Sequence, residues 1–348
     1  MSDTTISDTT MSDRVTVPTL TPINQAEYVA LTNGAAMLVR PDAGVLRLTE
    51  DDRQDFLQRM TTNNIAILRP GQSAVTVLTS PTARIMYLFT VIARSNDLLL
   101  LPMPEQSSAL ARHLRGQIFF MDKVKVQDLS EGAPQPAAQT WSRLRVMGPK
   151  AIHALEALGI EVASLMPNAV IIQDDLLVVA QPDLEVPGYE VIVPTGNLPK
   201  IVETLVATGA QQVSDAAFDV RRVELGRPAV GTELSEEYSP LEVELAWTCA
   251  ENKGCYTGQE IIARQITYDK VTKTLVGMRL QEAVTAGSEV TVEGRVVGTI
   301  TSVAHSPSLD APIALAVLKR PFNAPGTEVQ IGAQVATVET LPLVEAPQ

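Results

Sequence analysis

Eight consecutive residues, Lys253-Gly254-Cys255-Tyr256-Thr257-Gly258-Gln259-Glu260, bring together a cation, a thiol, an aromatic ring, an amide and a carboxylate. The two glycines suit tight turns or the close approach of another chain or ligand. The hydrophobic pair Ile261-Ile262 follows, so the segment is expected to present Cys255 at the tip of a loop. A neighbouring positive charge favours a thiolate, which makes Cys255 the candidate functional thiol and Lys253 its activating partner. The same residues also fit a plain turn with a partly buried cysteine, because free Cys is often buried.

Two further stretches carry polar chemistry. In Arg222-Val223-Glu224-Leu225-Gly226-Arg227-Pro228, Arg222 and Glu224 do not share a helix face and should serve different partners. Arg222 offers a planar fork to a carboxylate, while Glu224 accepts hydrogen bonds elsewhere; a solvated helix end with an ordinary ion pair is the plainer alternative. In Pro187-Gly188-Tyr189-Glu190-Val191-Ile192, strand alternation sets Tyr189, Val191 and Val193 on one face and Glu190 and Ile192 on the other. A carboxylate among aliphatic neighbours must be paired or must bind something rich in donors, such as a heterocycle with adjacent N–H groups. An edge-strand Glu facing water would need neither. The acidic run Glu236, Glu237, Glu242, Glu244 and the basic residues Arg112, Arg115, Lys123 and Lys125 read as solvated surface. With no Gly-rich phosphate loop, HExxH or GxSxG element, nucleotide hydrolysis, zinc proteolysis and α/β-hydrolase chemistry are poorly supported.

The elements that must position these residues read as two α+β units. Ala35–Arg40 and Gly44–Leu48 are expected strands, and Thr49 is the expected N-cap of a helix carrying Phe56, Leu57 and Met60. Residues 74–79 and 85–93 read as paired strands joined by Ser80-Pro81-Thr82. A weak internal repeat follows: Leu98–Pro102 and Tyr189–Pro194 are strands ending in proline, each leading into an amphipathic helix (about 106–115 and 198–207). Residues 170–172 and 176–179 make a hairpin, and Ser214 caps a helix ended by Gly226. Beyond Thr274 short Val-rich segments broken by glycine predict a small β-barrel or sandwich. The expected organisation is a disordered tail (1–20), a first α+β module (21–135), a second (136–245) interleaved with it, a Cys-motif segment (246–273) and a β-barrel (274–348). The stretch 131–136 is the expected linker, and both modules should carry antiparallel sheets.

Composition bounds the function. The 348 residues have a net charge of −13, which argues against gripping a nucleic-acid backbone over a large area. Two cysteines and three scattered histidines make neither a disulfide framework nor a zinc site. No apolar run is long enough to span a bilayer, and the polar N-terminus resembles no targeting signal, so a cytoplasmic protein is expected.

Taken in order, these stretches resemble the folate-binding YgfZ-like family, relatives of the glycine-cleavage-system T-protein (aminomethyltransferase). The segment 253–260 is similar to that family's KGC(Y/F)xGQE hallmark. RVELGRP with Glu233-Leu234 and Pro240-Leu241-Glu242 is similar to its RxExGxP…PxE pattern, and Asp55–Gln58, Thr62-Asn63-Asn64 and Pro70-Gly71-Gln72 also match. The resemblance runs from about residue 27 to about 340. It implies three modules around a central cavity that holds tetrahydrofolate or a reduced derivative. Glu190 would bind the pterin ring, and Arg222 would hold the folate on its other side with Tyr189 and Glu224 nearby. It also implies that Cys255 serves the maintenance of iron–sulfur enzymes through transient contact with them or with cluster carriers, with an indirect effect on tRNA modification. The transferases place an aspartate where this chain reads Thr82-Ala83-Arg84-Ile85. Without an acid for proton transfer, ordinary aminomethyl transfer is disfavoured. A folate-dependent one-carbon transferase using another acid or base, and a non-catalytic adaptor without ligand, are the alternatives.

Overall fold

A computed structural model describes residues 22–130 and 140–346; the expected tail and linker lie outside the described residues. Three β-structures organise the chain. A five-stranded antiparallel sheet runs in the order Ser73–Thr79, Ile85–Ala93, Leu98–Pro102, Leu46–Thr49, Lys125–Asp128. A six-stranded sheet runs in the order Gln211–Gln212, Ala36–Arg40, Trp141–Met147, Gly188–Pro194, Leu176–Gln181, Val170–Gln173. The strand Ala36–Arg40 comes early in the chain yet pairs antiparallel with Trp141–Met147 and parallel with Gln211–Gln212. The two modules thus share chain.

The sheets face each other across a cluster of Val45, Ile92, Leu99, Leu101, Leu177 and Ile192. The repeated strand–proline–helix units sit on opposite partners: Leu98–Pro102 leads into helix Ser107–Gly116, and Gly188–Pro194 into helix Leu198–Ala207. The front helix begins later than its sequence suggests. Glu50 adopts a positive φ of 77°, Thr49 ends a strand, and Asp52 is the N-cap of helix Arg53–Met60. Asp52 gives its carboxylate to the backbone N–H of Lys123 rather than to the helix.

The C-terminal barrel is closed by six strands, in the order Lys273–Arg279, Ala311–Lys319, Arg295–Ser306, Glu289–Val292, Glu328–Ile331, Gln334–Glu339. The last strand returns from Glu328–Ile331 through a turn at Gly332, φ 60°, and closes the ring against Lys273–Arg279. An apolar cluster fills the place where the three structures meet. Val77 and Met103 come from the first sheet's module, Leu184 and Val223 from the second, and Leu275 and Leu315 from the barrel. No helix of the described residues is long and apolar enough to cross a membrane.

Candidate functional site

Beside that central cluster lies a cleft of 480 Å³ between the modules. Its walls include Met103 after the Leu98–Pro102 strand, Arg40 at the end of its strand, Phe218 and Arg222 on helix Asp215–Glu224, and Val230 beyond it. Ser214 caps that helix through the backbone N–H of Ala217. Phe218 and Arg222, four residues apart, share one helical stripe.

Arg222 is buried, not a solvated helix end. Its Nε donates to Asp219 (2.6 Å), Nη1 to Glu233 (3.3 Å) and Nη2 to Ser302 of the barrel (3.0 Å). Burial alone would raise the Glu233 carboxyl, but Arg222 and the hydroxyls of Thr232 and Ser302 outweigh it and hold that carboxyl below its usual range. Arg222 therefore lines the cleft while fastening helix, loop and barrel together.

Glu224 does not line the cleft. Its Oε1 accepts from the Tyr28 hydroxyl (2.7 Å) and the Ser306 hydroxyl (2.5 Å), and its Oε2 from Arg221 Nη1 (2.7 Å). Arg222 and Glu224 do serve different partners, but Glu224 is committed to holding helix Gln25–Asn33, which carries Tyr28, and the barrel, not to a ligand. Burial pushes the Tyr28 phenol up to about 12.

Glu190 is not an edge residue facing water. Its strand lies inside the sheet, and its carboxylate is wholly buried. The register sets Glu190 opposite Arg145 and Ile192 opposite Arg143. Arg143 Nε reaches Glu190 Oε1 at 2.7 Å, and Arg145 Nη1 reaches Oε2 at 3.3 Å. Arg143 continues to the carbonyls of Gly44 (3.2 Å) and Pro102 (2.6 Å) in the facing module. Arg145 donates to Gln181 and to the carbonyls of Leu184 and Val186. Arg40 completes the network with a bidentate pair to Glu185 (2.8 and 2.9 Å) and stacks over Phe218. Burial alone would raise Glu185, yet Arg40 and Arg145 hold it below the usual carboxylate range; burial lowers Arg145. The donors that sequence reasoning assigned to a heterocycle are supplied by the chain's own guanidinium groups.

Tyr189 turns to the other face of its strand, as alternation requires, and lines a separate cavity of 370 Å³. Burial raises its phenol. Glu190, Tyr189, Arg222 and Glu224 are thus not one ligand shell: of the four, Arg222 alone lines the interdomain cleft.

The Cys-motif segment leans on the first module. Gly258, φ 85°, caps helix Gln259–Thr267, and a Cβ there would meet Thr79 Oγ1 at 2.7 Å and Ser80 O at 2.9 Å. Only glycine fits this approach. The Thr79 hydroxyl donates to the Thr257 carbonyl (2.7 Å). Cys255 is exposed at the loop, whereas Lys253 turns inward. The Lys253 ammonium donates to the carbonyls of Thr61 and Asn63 and lies 4.9 Å from the Tyr256 ring centre. Burial lowers its pKa to about 8. The expected Lys253–Cys255 pair is therefore replaced by a lysine that fastens the segment to residues 61–63, with Cys255 left facing solvent. The second thiol, Cys249, is buried, and burial pushes it up. In the acidic run, Glu242 is buried rather than solvated: it caps Ser239 and pairs with Arg84 at 3.1 Å. No cluster of three or more His, Cys, Asp or Glu suited to a metal occurs among the described residues.

Arg40, Arg143, Arg145 and Glu185 escaped the sequence reading. The signal was present in Trp141–Met147, where Arg143 and Arg145 alternate with Leu144 and Val146 and so occupy one face of a buried strand.

Residues 273–345 match the family described as the glycine cleavage T-protein C-terminal barrel domain. The chain is 29% identical over 322 residues to a chloroplastic protein of Arabidopsis thaliana described as a transferase, covering 89% of this chain and 71% of that one. It is 24% identical to the aminomethyltransferase of Deinococcus deserti, over 93% of this chain and 89% of that one. The crystal structure of the glycine cleavage system aminomethyltransferase T from Bartonella henselae superposes with a TM-score of 0.81 at 21% identity, covering 92% of this chain and 90% of that one. By sequence along its length and by fold, this chain is similar to the aminomethyltransferases, and its C-terminal barrel matches the T-protein barrel domain.

Proposed function

We propose that the protein binds a reduced folate in the interdomain cleft. The observation that carries this reading is the cleft itself: 480 Å³ of space where the aminomethyltransferase-like modules meet, within the roughly 300–1,000 Å³ of small-molecule sites. Met103 and Phe218 offer apolar and aromatic surface to a flat ring, and the carboxylates of Asp42, Glu105 and Asp215 at the wall offer acceptors to its N–H groups. Glu190 serves in this reading as the counter-ion of Arg143 and Arg145, not as a ligand to the pterin. Folate, when bound, would supply a carrier for a one-carbon unit; the chain's own residues bind and orient it.

The turn 80–85 contains no acid, and Arg84 is engaged by Glu242 and the Glu237 carbonyl. A proton-transfer group is therefore missing where the transferases carry one, which favours folate binding without ordinary aminomethyl transfer. Exposed Cys255, on a loop fixed by Lys253 and Gly258, is the group available for transient contact with an iron–sulfur enzyme or cluster carrier. Any effect on tRNA modification would pass through such an enzyme.

Calorimetric titration with tetrahydrofolate tests the reading. Wild type should bind, and Ala229→Trp, which fills the cleft wall, should weaken binding at least tenfold. Absence of binding by well-folded wild type, or full binding by the filled variant, would remove folate from the cleft.

A further inference from the structure

The cavity that holds Tyr189 is separate from the cleft but shares two walls with it. On helix Asp215–Glu224 and just beyond, Phe218 and Arg222 line the cleft while Arg221 and Leu225 line the second cavity. Along the preceding loop, Glu185 belongs to the cleft and its neighbour Val186 to the second cavity. Two hollows therefore stand back to back across one helix and one loop.

The second cavity has the character of a binding site of its own. Its 370 Å³ falls within the range of small-ligand pockets. Pro149, Pro167, Pro182 and Pro187 contribute to its walls, with Ile152 and Leu165 between them. Proline fixes backbone φ, so these walls are already shaped without a ligand. Among the described residues the lining carries a single charged side chain, Arg221, and that charge is spent: Nη1 pairs with Glu224 at 2.7 Å and Nη2 donates to the Glu345 carbonyl at 2.8 Å. One polar group is left over. The half-buried Tyr189 side chain makes no hydrogen bond to another described residue, and its hydroxyl stays open to water.

We propose that this cavity is a second small-molecule site, for an uncharged, largely apolar ring compound that forms one hydrogen bond with the Tyr189 hydroxyl. A charged ligand would be stripped of water against apolar walls without a counter-ion, which is costly. An uncharged ring gains by burial against proline and aliphatic side chains and takes the place of water on the Tyr189 hydroxyl.

Indole serves as the probe, because it is flat, neutral and apolar with a single N–H donor. Saturation-transfer NMR on the full chain should show saturable binding. Tyr189→Phe, which removes the hydroxyl and keeps the ring, should weaken it about fivefold, the effect of one neutral hydrogen bond. Leu165→Trp, on a surface loop, should fill the cavity and abolish binding while thermal melting stays cooperative. No saturable binding to folded wild type would overturn the proposal, as would binding that neither substitution alters. Displacement of indole by tetrahydrofolate, one for one, would also overturn it by making this the folate site. If tetrahydrofolate fails to bind anywhere while indole binds as described, the cleft reading falls and this one stands.

Discussion

Glu190 and Glu224 are both closed off from solvent, yet they are held by different chemistry. Glu190 sees guanidinium groups, two of the three arginines in a network whose other carboxylate is Glu185, with Asp42 more distant at the cleft edge. Glu224 sees one arginine and two hydroxyls. A hydroxyl can rotate and exchange donor for acceptor roles; a buried guanidinium cannot give up its charge. The first carboxylate is needed to balance charge between two sheets. The second is a hub that ties a helix to a barrel through directional bonds.

The largest effect should come from Glu190→Ala. It leaves Arg143 and Arg145 short of a counter-ion in an apolar setting, and should cost about 3–5 kcal/mol in urea unfolding. Adding Arg143→Met should recover a substantial part of that loss; a single-mutant cost under about 1 kcal/mol would break the charge-balance account. Glu224→Gln keeps the shape and one acceptor, so it should cost less, about 1.5–3 kcal/mol for weakened bonds to a charged group. Its signature should be local, with earlier proteolytic release of the barrel than in wild type.

Lys253 and Cys255, two residues apart, repeat the contrast in miniature. Burial lowers Lys253 from 10.5 to about 8, so between those pH values the unfolded chain binds more protons than the folded one. The stability of wild type relative to Lys253→Met should therefore rise as pH increases from about 8 to about 10.5, and be lost as pH falls back through 8. A flat difference curve would mean that the two carbonyl acceptors keep the ammonium charged throughout. Smallest of all, Cys255→Ser should change stability by less than about 0.5 kcal/mol, as an exposed substitution does. In the native wild type, a thiol reagent should label Cys255 rapidly and Cys249 only on unfolding.

Much of the frame was legible from sequence because it rests on local pattern. The alternation at Tyr189–Val193, the Ser214 cap and the change to short Val-rich strands after Thr274 each follow from neighbours a few residues apart. The pairing of Ala36–Arg40 with the second module was not legible, because nothing in those five residues names a partner more than a hundred positions away. The site suffered from the same limit. Lys253 was read against the residue two places along, while its ammonium goes to Thr61 and Asn63. Glu190 was correctly read as needing donors, but the donors lay on the adjacent strand.

Residues 341–346 return to an early helix, Gln25–Asn33, and to the end of helix Asp215–Glu224. Leu343 and Val344 donate their backbone N–H groups to the carbonyl of Glu224, Leu341 packs where Gly226 lacks a Cβ, and Ala346 joins Ile23 and Leu31 in one apolar cluster. During synthesis, then, the first helix emerges more than three hundred residues before its final neighbours exist. The face of that helix which meets them stays uncovered until residues 341–346 have left the ribosome.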